Sequence, residues 1–241
     1  MTRSLLGAKL VDVGGGSLAR ITGVDAAAEV APQQVGLTAG AVDSIWSSVE
    51  ALYRTGAYPA ATFCLRRRGR IVLNRSIGYA QGGGPGESRG PHARLAEPDT
   101  PICLFSASKA VTAMLMHKLA EEGGVDLDNR VSHYLPEFTG GGKDRTTIAQ
   151  VLSHQGGFPM FDVDPADGPE TLLDWERCIE LICAAPAENG GKRLAYHAIT
   201  GGFILAEIIR RVTGMSFTDY LDTRFRQPLG MRYFTYGLDG R

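Results

Sequence analysis

Apolar positions Val42, Ile45, Trp46, Val49 and Leu52 fall at the three-and-four spacing of one helix face, with Thr38 placed as a cap and Gly56 as a stop. Segments 60–66 and 70–79 are rich in strand formers and are separated by an Arg-Gly turn, which predicts an antiparallel hairpin. Residues 80–98 carry GGGPGESRGPHARLAEP, hold too few apolar positions for a core, and read as an exposed loop. From 106 a helix is predicted with Val111, Leu115 and Leu119 on one stripe and Ala110, Ala113 and Met114 beside it. So broad an apolar surface implies a central, well-covered helix, ended by Gly123-Gly124.

Further on, 147–153 reads as a short helix closed by His154-Gln155-Gly156-Gly157-Phe158-Pro159. Segment 170–184 is amphipathic, with Leu172, Trp175, Ile179 and Ile182 on one side. A strongly apolar helix runs through Ile204, Leu205, Ile208, Ile209 and Val212 to Gly214, and Ser216 caps a last one reaching about Phe225. Residues 1–37 are rich in Gly, Ala and Val without a period. They read as a loosely structured lead-in with one short strand at 9–13, ahead of a main domain over 38–241.

Composition narrows the classes. The 241 residues fit one large domain or two, and a formal net charge of −1 gives no reason to expect a nucleic-acid or anionic-membrane partner. Arg66, Arg67, Arg68 and Arg70 crowd around Gly69 as a solvated hairpin turn. The longest apolar run, near 203–209, is far too short for a membrane span. The first residues lack the apolar core of an export signal, so a cytoplasmic location is expected. Cys64, Cys103, Cys178 and Cys183 lack metal-ligand spacing and read as buried or incidental thiols. His154 is expected to order its glycine-rich turn, and His92, His117 and His133 have no partner at ligand spacing. Neither a metal nor another cofactor is expected.

Candidate chemistry centres on Ser106 and Lys109. Three residues apart at a helix start, they share a face, whereas Ser108 points elsewhere. A serine hydroxyl needs a base to take its proton, and a lysine serves only if burial or a neighbouring cation keeps it neutral. The helix N-terminus favours the oxyanion of acyl transfer. Ser-x-x-Lys alone is unspecific, since about one such spacing arises by chance in a chain of this length.

Order and spacing add what the tetrad lacks. FSASKAVTAMLMHKLAEEGGVDLDNRVSHYLPEF resembles the nucleophile segment of the penicillin-recognising serine hydrolases, which include class C β-lactamases, D,D-peptidases and lactamase-like esterases. TTIAQVLSHQGGFP resembles the family's short helix ending in Leu-Ser/Thr-His-x-x-Gly, and GGKRLAYHAITGGFILAEIIRRVTGMSFTDYLDTRFRQPLGM its Tyr-x-Asn region and the helices after it. The resemblance covers roughly residues 40–236. It implies an α+β, β-lactamase/transpeptidase-like fold, a helical region with an antiparallel sheet. It also implies Ser106 as the acylated nucleophile, with Lys109 and Tyr196 as proton-transfer partners in either order.

Two departures shape the expectation. Ala198 stands where the family has the asparagine of Tyr-x-Asn, which in lactam-acting relatives helps hold the substrate's amide side chain; its loss leans towards esters. His197, beside Tyr196, is a candidate substrate-binding position along with Ala198. The chain also stops at Arg241, just after Pro228-Leu229-Gly230-Met231. The family's later strands, third motif and C-terminal helix are therefore expected to be missing, leaving an uncovered sheet edge that invites self-association. Three readings follow. The first is an esterase acting on small-molecule esters, the second a β-lactamase or D,D-peptidase, and the third a non-catalytic lactamase-like module.

Overall fold

The computed structural model describes residues 9–87, 89–161, 169–188 and 193–237. The chain divides into two compact units, Met1–Ile102 and Cys103–Arg241.

In the first unit, strand β1 (Thr22–Val24) precedes helix α1 (Ala39–Arg54), whose cap Thr38 accepts a hydrogen bond from Ala41 N–H. Strands β2 (Ala60–Arg67) and β3 (Arg70–Gln81) form the expected hairpin, and β4 (Arg94–Leu95) follows. Arg68 and Gly69 both have positive φ, 51° and 75°, the mirror-image turn whose twist matches flanking strands. All pairings are antiparallel. β3 is central, flanked by β2 and β1, with β4 pairing its far end through Tyr79–Leu95 and Gln81–Arg94. The buried side of α1 (Val42, Trp46, Tyr53) joins Val72, Leu73 and Ile77 of β3 in one apolar cluster.

Two expectations are corrected here. The 1–37 region is not loose over its described part: Val11, Leu18 and Val35 are buried, and the latter two enter that cluster. Its strand is Thr22–Val24, not 9–13; Val11 instead reaches Gly56 by one backbone bond of 2.8 Å. These residues sit in short 3-10 turns and a three-residue strand, too brief to leave a period. Nor is 80–98 wholly exposed. Ala96 is buried, and its carbonyl accepts from the buried Ser76 hydroxyl at 2.7 Å.

The second unit is helical. It comprises α2 (Ser108–Glu121), α3 (Val131–Tyr134), α4 (Ile148–Leu152), α5 (Trp175–Ala184), α6 (Thr200–Thr213) and α7 (Phe217–Leu221). Val111, Leu115, Met116 and Leu119 of α2 pack with Ile204, Leu205, Ile208 and Ile209 of α6, together with Phe138, Ile148 and Phe158. Each fully buried leucine or isoleucine contributes about 1.5–3 kcal/mol. Thr147 and Gln150 form a reciprocal capping box at α4, and Gly214 ends α6 at φ 70°.

Here too the pattern overreached. Ala110 and Met114 are exposed, so α2 is covered on one side, not all round. The 170–184 helix begins only at Trp175, because the Asp174 side chain caps it by accepting from Arg177 N–H at 3.0 Å. Leu172, left in the preceding 3-10 turn, is exposed.

One polar cluster ties α5 to α6. Glu207 is fully buried and accepts from Trp175 Nε1 at 2.8 Å, Arg210 Nε at 2.7 Å and Arg211 Nε at 2.6 Å. Burial by itself would raise its pKa, but the hydrogen bonds from Arg210, Trp175 and Arg211 outweigh it and hold the carboxyl below its usual range.

Candidate active site

Three helix ends converge in the second unit. The packing of α2 on α6 and of α4 on α6 brings together the residues before α2, those before α6 and those after α4. Ser106 lies in a single 3-10 turn, Phe105–Ala107, that feeds directly into α2. The expected helix start at Ser106 is therefore displaced by two residues, and Ser106 stands ahead of the positive end of the helix dipole. Phe105 before it has φ 45° and is 82 % exposed. A bulky residue in the left-handed region stores about 1–3 kcal/mol, strain of a kind concentrated at functional sites.

Lys109 Nζ donates to Ser106 Oγ at 3.3 Å. Tyr196, just before α6, places its phenol 2.5 Å from the same oxygen. Lys109 Nζ also lies 4.9 Å from the centroid of the Tyr196 ring, so the cation faces the phenol as well as the serine. Hydrogen bonding to Ser106 and then to Lys109, with the charge of Lys109 adding to it, holds the Tyr196 pKa below its usual 10.0. The Ser108 backbone carbonyl accepts from the Tyr236 phenol at 2.7 Å.

The sequence profile of the Beta-lactamase family matches residues 45–241. The chain belongs to the beta-lactamase family. It is 33 % identical over 132 residues to Esterase/beta-lactamase LipL of Mycobacterium tuberculosis, covering 54 % of this chain and 30 % of LipL. It is 27 % identical over 215 residues to a putative D-alanyl-D-alanine carboxypeptidase of Salmonella agona, covering 85 % of this chain and 49 % of the relative. Among solved structures, a family VIII carboxylesterase superposes with a TM-score of 0.69 at 31 % identity, over 81 % of this chain and 52 % of the esterase. The beta-lactamase-family chain thus spans half or less of the length of the curated relatives just named.

Around the serine, the other two sequence candidates part ways. Ala198 is exposed beside Tyr196 and offers only a methyl group. His197, expected at the substrate, is instead turned inward: it is 1 % exposed, its Nε2 accepts from Phe158 N–H at 3.1 Å, and its Nδ1 meets Ala195 O at 2.6 Å. Burial pushes its pKa down despite the bond to Ala195. His154 does more than order its own turn. Its ring meets the Tyr196 ring edge-on at 4.9 Å and its Nδ1 accepts from His197 N–H at 3.2 Å. The cue in the sequence is a histidine at a helix end where a left-handed residue is needed, which says where the backbone turns but not what the ring touches.

No group of three or more His, Cys, Asp or Glu side chains fit to hold a metal occurs among the described residues. Within the same set, no helix is long and apolar enough to cross a membrane.

Proposed function

We propose that this chain carries the acylating half-site of a serine hydrolase that cleaves small carboxylic esters. The observation that carries the reading is the convergence of the Tyr196 phenol and the Lys109 ammonium on one oxygen, Ser106 Oγ. In the resting state the phenol donates to Ser106. Once the Tyr196–Lys109 pair has lost a proton, the same contact takes the serine proton as Oγ attacks the ester carbonyl carbon. The carbonyl electron pair collapses onto oxygen near the positive end of α2. Re-forming the carbonyl then breaks the bond to the alkoxide, which leaves with the proton held by the pair. Water repeats the sequence on the acyl-enzyme: the pair takes its proton, hydroxide adds, and Ser106 leaves protonated with release of the carboxylic acid.

Ester over amide is supported by Ala198, which cannot hold a substrate amide through a side chain, and by the chemistry of the leaving group. An alkoxide needs less protonation than an amine, so an exposed phenol suffices as the acid. The likeness to a carboxylesterase and to a protein named an esterase/beta-lactamase supports the same direction. One experiment tests it. The purified chain is incubated with a fluorophosphonate, a fluorescent penicillin and a p-nitrophenyl ester of a short acid, and the adduct is located by mass spectrometry. Labelling at Ser106 with ester turnover and weak penicillin reaction is expected. A penicillin or cephalosporin kcat/KM above that for the ester would assign the site to amides. No adduct at Ser106 with any probe would leave a non-catalytic module.

A further inference from the structure

Tyr196 is gripped on both sides by one residue. The His154 carbonyl accepts from Ala195 N–H at 3.0 Å, and the His154 ring nitrogen Nδ1 accepts from His197 N–H at 3.2 Å. The two amides that flank Tyr196 in the chain are therefore both held by His154. The hold depends on an unusual backbone. His154 has φ 61° at the end of α4, a conformation that asparagine and glycine adopt readily and most side chains resist.

The hydrogen-bond pattern also fixes protonation. His197 Nε2 accepts from Phe158 N–H, so the His197 proton sits on Nδ1 and is donated to Ala195 O. That histidine is neutral and locked. His154 differs: it is half-buried, and Nδ1 can accept from the His197 amide only while it carries no proton. The groups around it are the stacked His197 ring at 5.9 Å, the Tyr196 ring, Lys109 across that ring, and Glu188, which acts on His197 and whose amide is tied to Gly157.

We propose that His154 is a positioning residue whose unprotonated Nδ1 clamps the His197 amide and so holds the Tyr196 phenol on Ser106. Protonating His154 removes the acceptor, frees the segment 195–197, and lowers the rate of serine activation while leaving Ser106 and Lys109 in place. This rests on Tyr196 being a proton-transfer partner of Ser106. Small misplacements of a reacting group can cost on the order of 10²-fold, so the effect should be visible in rate well before it is visible in fold.

The test uses two readouts on the whole chain: the rate of Ser106 labelling by a fluorophosphonate against pH, and the amide signal of His197 in a ¹⁵N-resolved NMR titration. In the wild type, the His197 amide should shift as the His154 ring takes up a proton, and the labelling rate should fall over the same pH interval. His154→Gly keeps the backbone conformation without the acceptor; it should label about 10–100-fold more slowly with an unchanged melting temperature. His154→Asn keeps both the conformation and an acceptor oxygen near the Nδ1 position but cannot be protonated. It should recover most of the rate and lose the step that follows the His197 amide titration, leaving the Tyr196 limb in place.

A His197 amide that ignores the His154 titration, or a folded His154→Gly that labels at the wild-type rate, overturns the clamp. If His154→Gly does not fold, the decision passes to the wild-type amide titration and to His154→Asn, where persistence of that step is the overturning result. Wild-type labelling by Tyr196→Phe would instead take down the Tyr196 assignment and the positioning role with it, while the amide titration still reports whether the hydrogen bond is pH-sensitive.

Discussion

The Tyr196 phenol lies 2.5 Å from Ser106 Oγ although the two residues are 90 apart in the chain. The contact exists because Tyr196 enters α6, Ser106 enters α2, and the apolar faces of those two helices pack together. A hydroxyl that touches both a phenol and an ammonium can be deprotonated and can have its leaving group reprotonated by the same pair.

Ser106→Ala should abolish fluorophosphonate labelling, and Ser108→Ala should leave most of it. Ser108 meets the Tyr236 phenol through its backbone carbonyl, which the substitution keeps. Labelling that survives Ser106→Ala, followed by intact-mass spectrometry, would remove Ser106 from the mechanism.

Lys109 and Tyr196 should behave as one unit. Lys109→Ala and Tyr196→Phe are each expected to lower acylation by about 10²–10⁴-fold, the usual range for a positioned acid or base. The double variant should be little worse than either, since members of one relay are non-additive. Multiplying losses, measured as labelling rates, would mean separate proton paths.

Acylation should rise with pH. The Tyr196 pKa lies below 10.0 because of its bonds to Ser106 and Lys109, and in the proposed mechanism the Tyr196–Lys109 pair takes the serine proton only after losing one of its own. Activity is therefore gained as pH rises through that lowered value and lost below it. Lys109→Ala removes the cation and should move the inflection of the labelling profile upward. An inflection that stays in place would show that the lysine does not act on the phenol.

Acid should destabilise the helical unit through Glu207. Its carboxyl has a folded pKa below 4.5, so its stabilisation is complete above that value and lost as pH falls through the lower folded one. Glu207→Ala should cost on the order of 3 kcal/mol, the low end for a broken buried pair, because Arg210 and Arg211 keep part of their hydration. The same melts should show a flatter acid limb in the variant.

Lys143 should be structural. It is 1 % exposed, donates to Ile182 O at 3.1 Å and Cys183 O at 2.5 Å and to Ala185 O, and so caps the C-terminal end of α5. Burial pushes its pKa down even with Cys183 and Asp144 nearby. Lys143→Met leaves those carbonyls without the donor and should cost about 1–3 kcal/mol in chemical denaturation, with Ser106 labelling by the folded fraction unchanged.

Local pattern was enough wherever local forces decide. The hairpin, the Thr38 and Ser216 caps, the Gly214 stop and the spacing of Ser106 to Lys109 are all set within a few residues. An apolar period could say that α2 and α6 each have a face to bury, but not how wide the covered part is; Met114 looked like core and is exposed. Short elements left no period at all, which is why the packed residues Leu18 and Val35 passed for a loose lead-in.

The sequence by itself singled out Ser106, Lys109 and Tyr196 as the candidate group, because an ordered set of short motifs is legible without any knowledge of contacts. Only the tertiary structure decided which way the residues beside Tyr196 point. His197 turns inward and saturates both ring nitrogens, while His154, from another helix end, reaches across to hold the tyrosine's neighbours. Side-chain direction in an irregular segment depends on what packs against it, and here Phe158 and His154 lie 39 and 43 residues away in the chain.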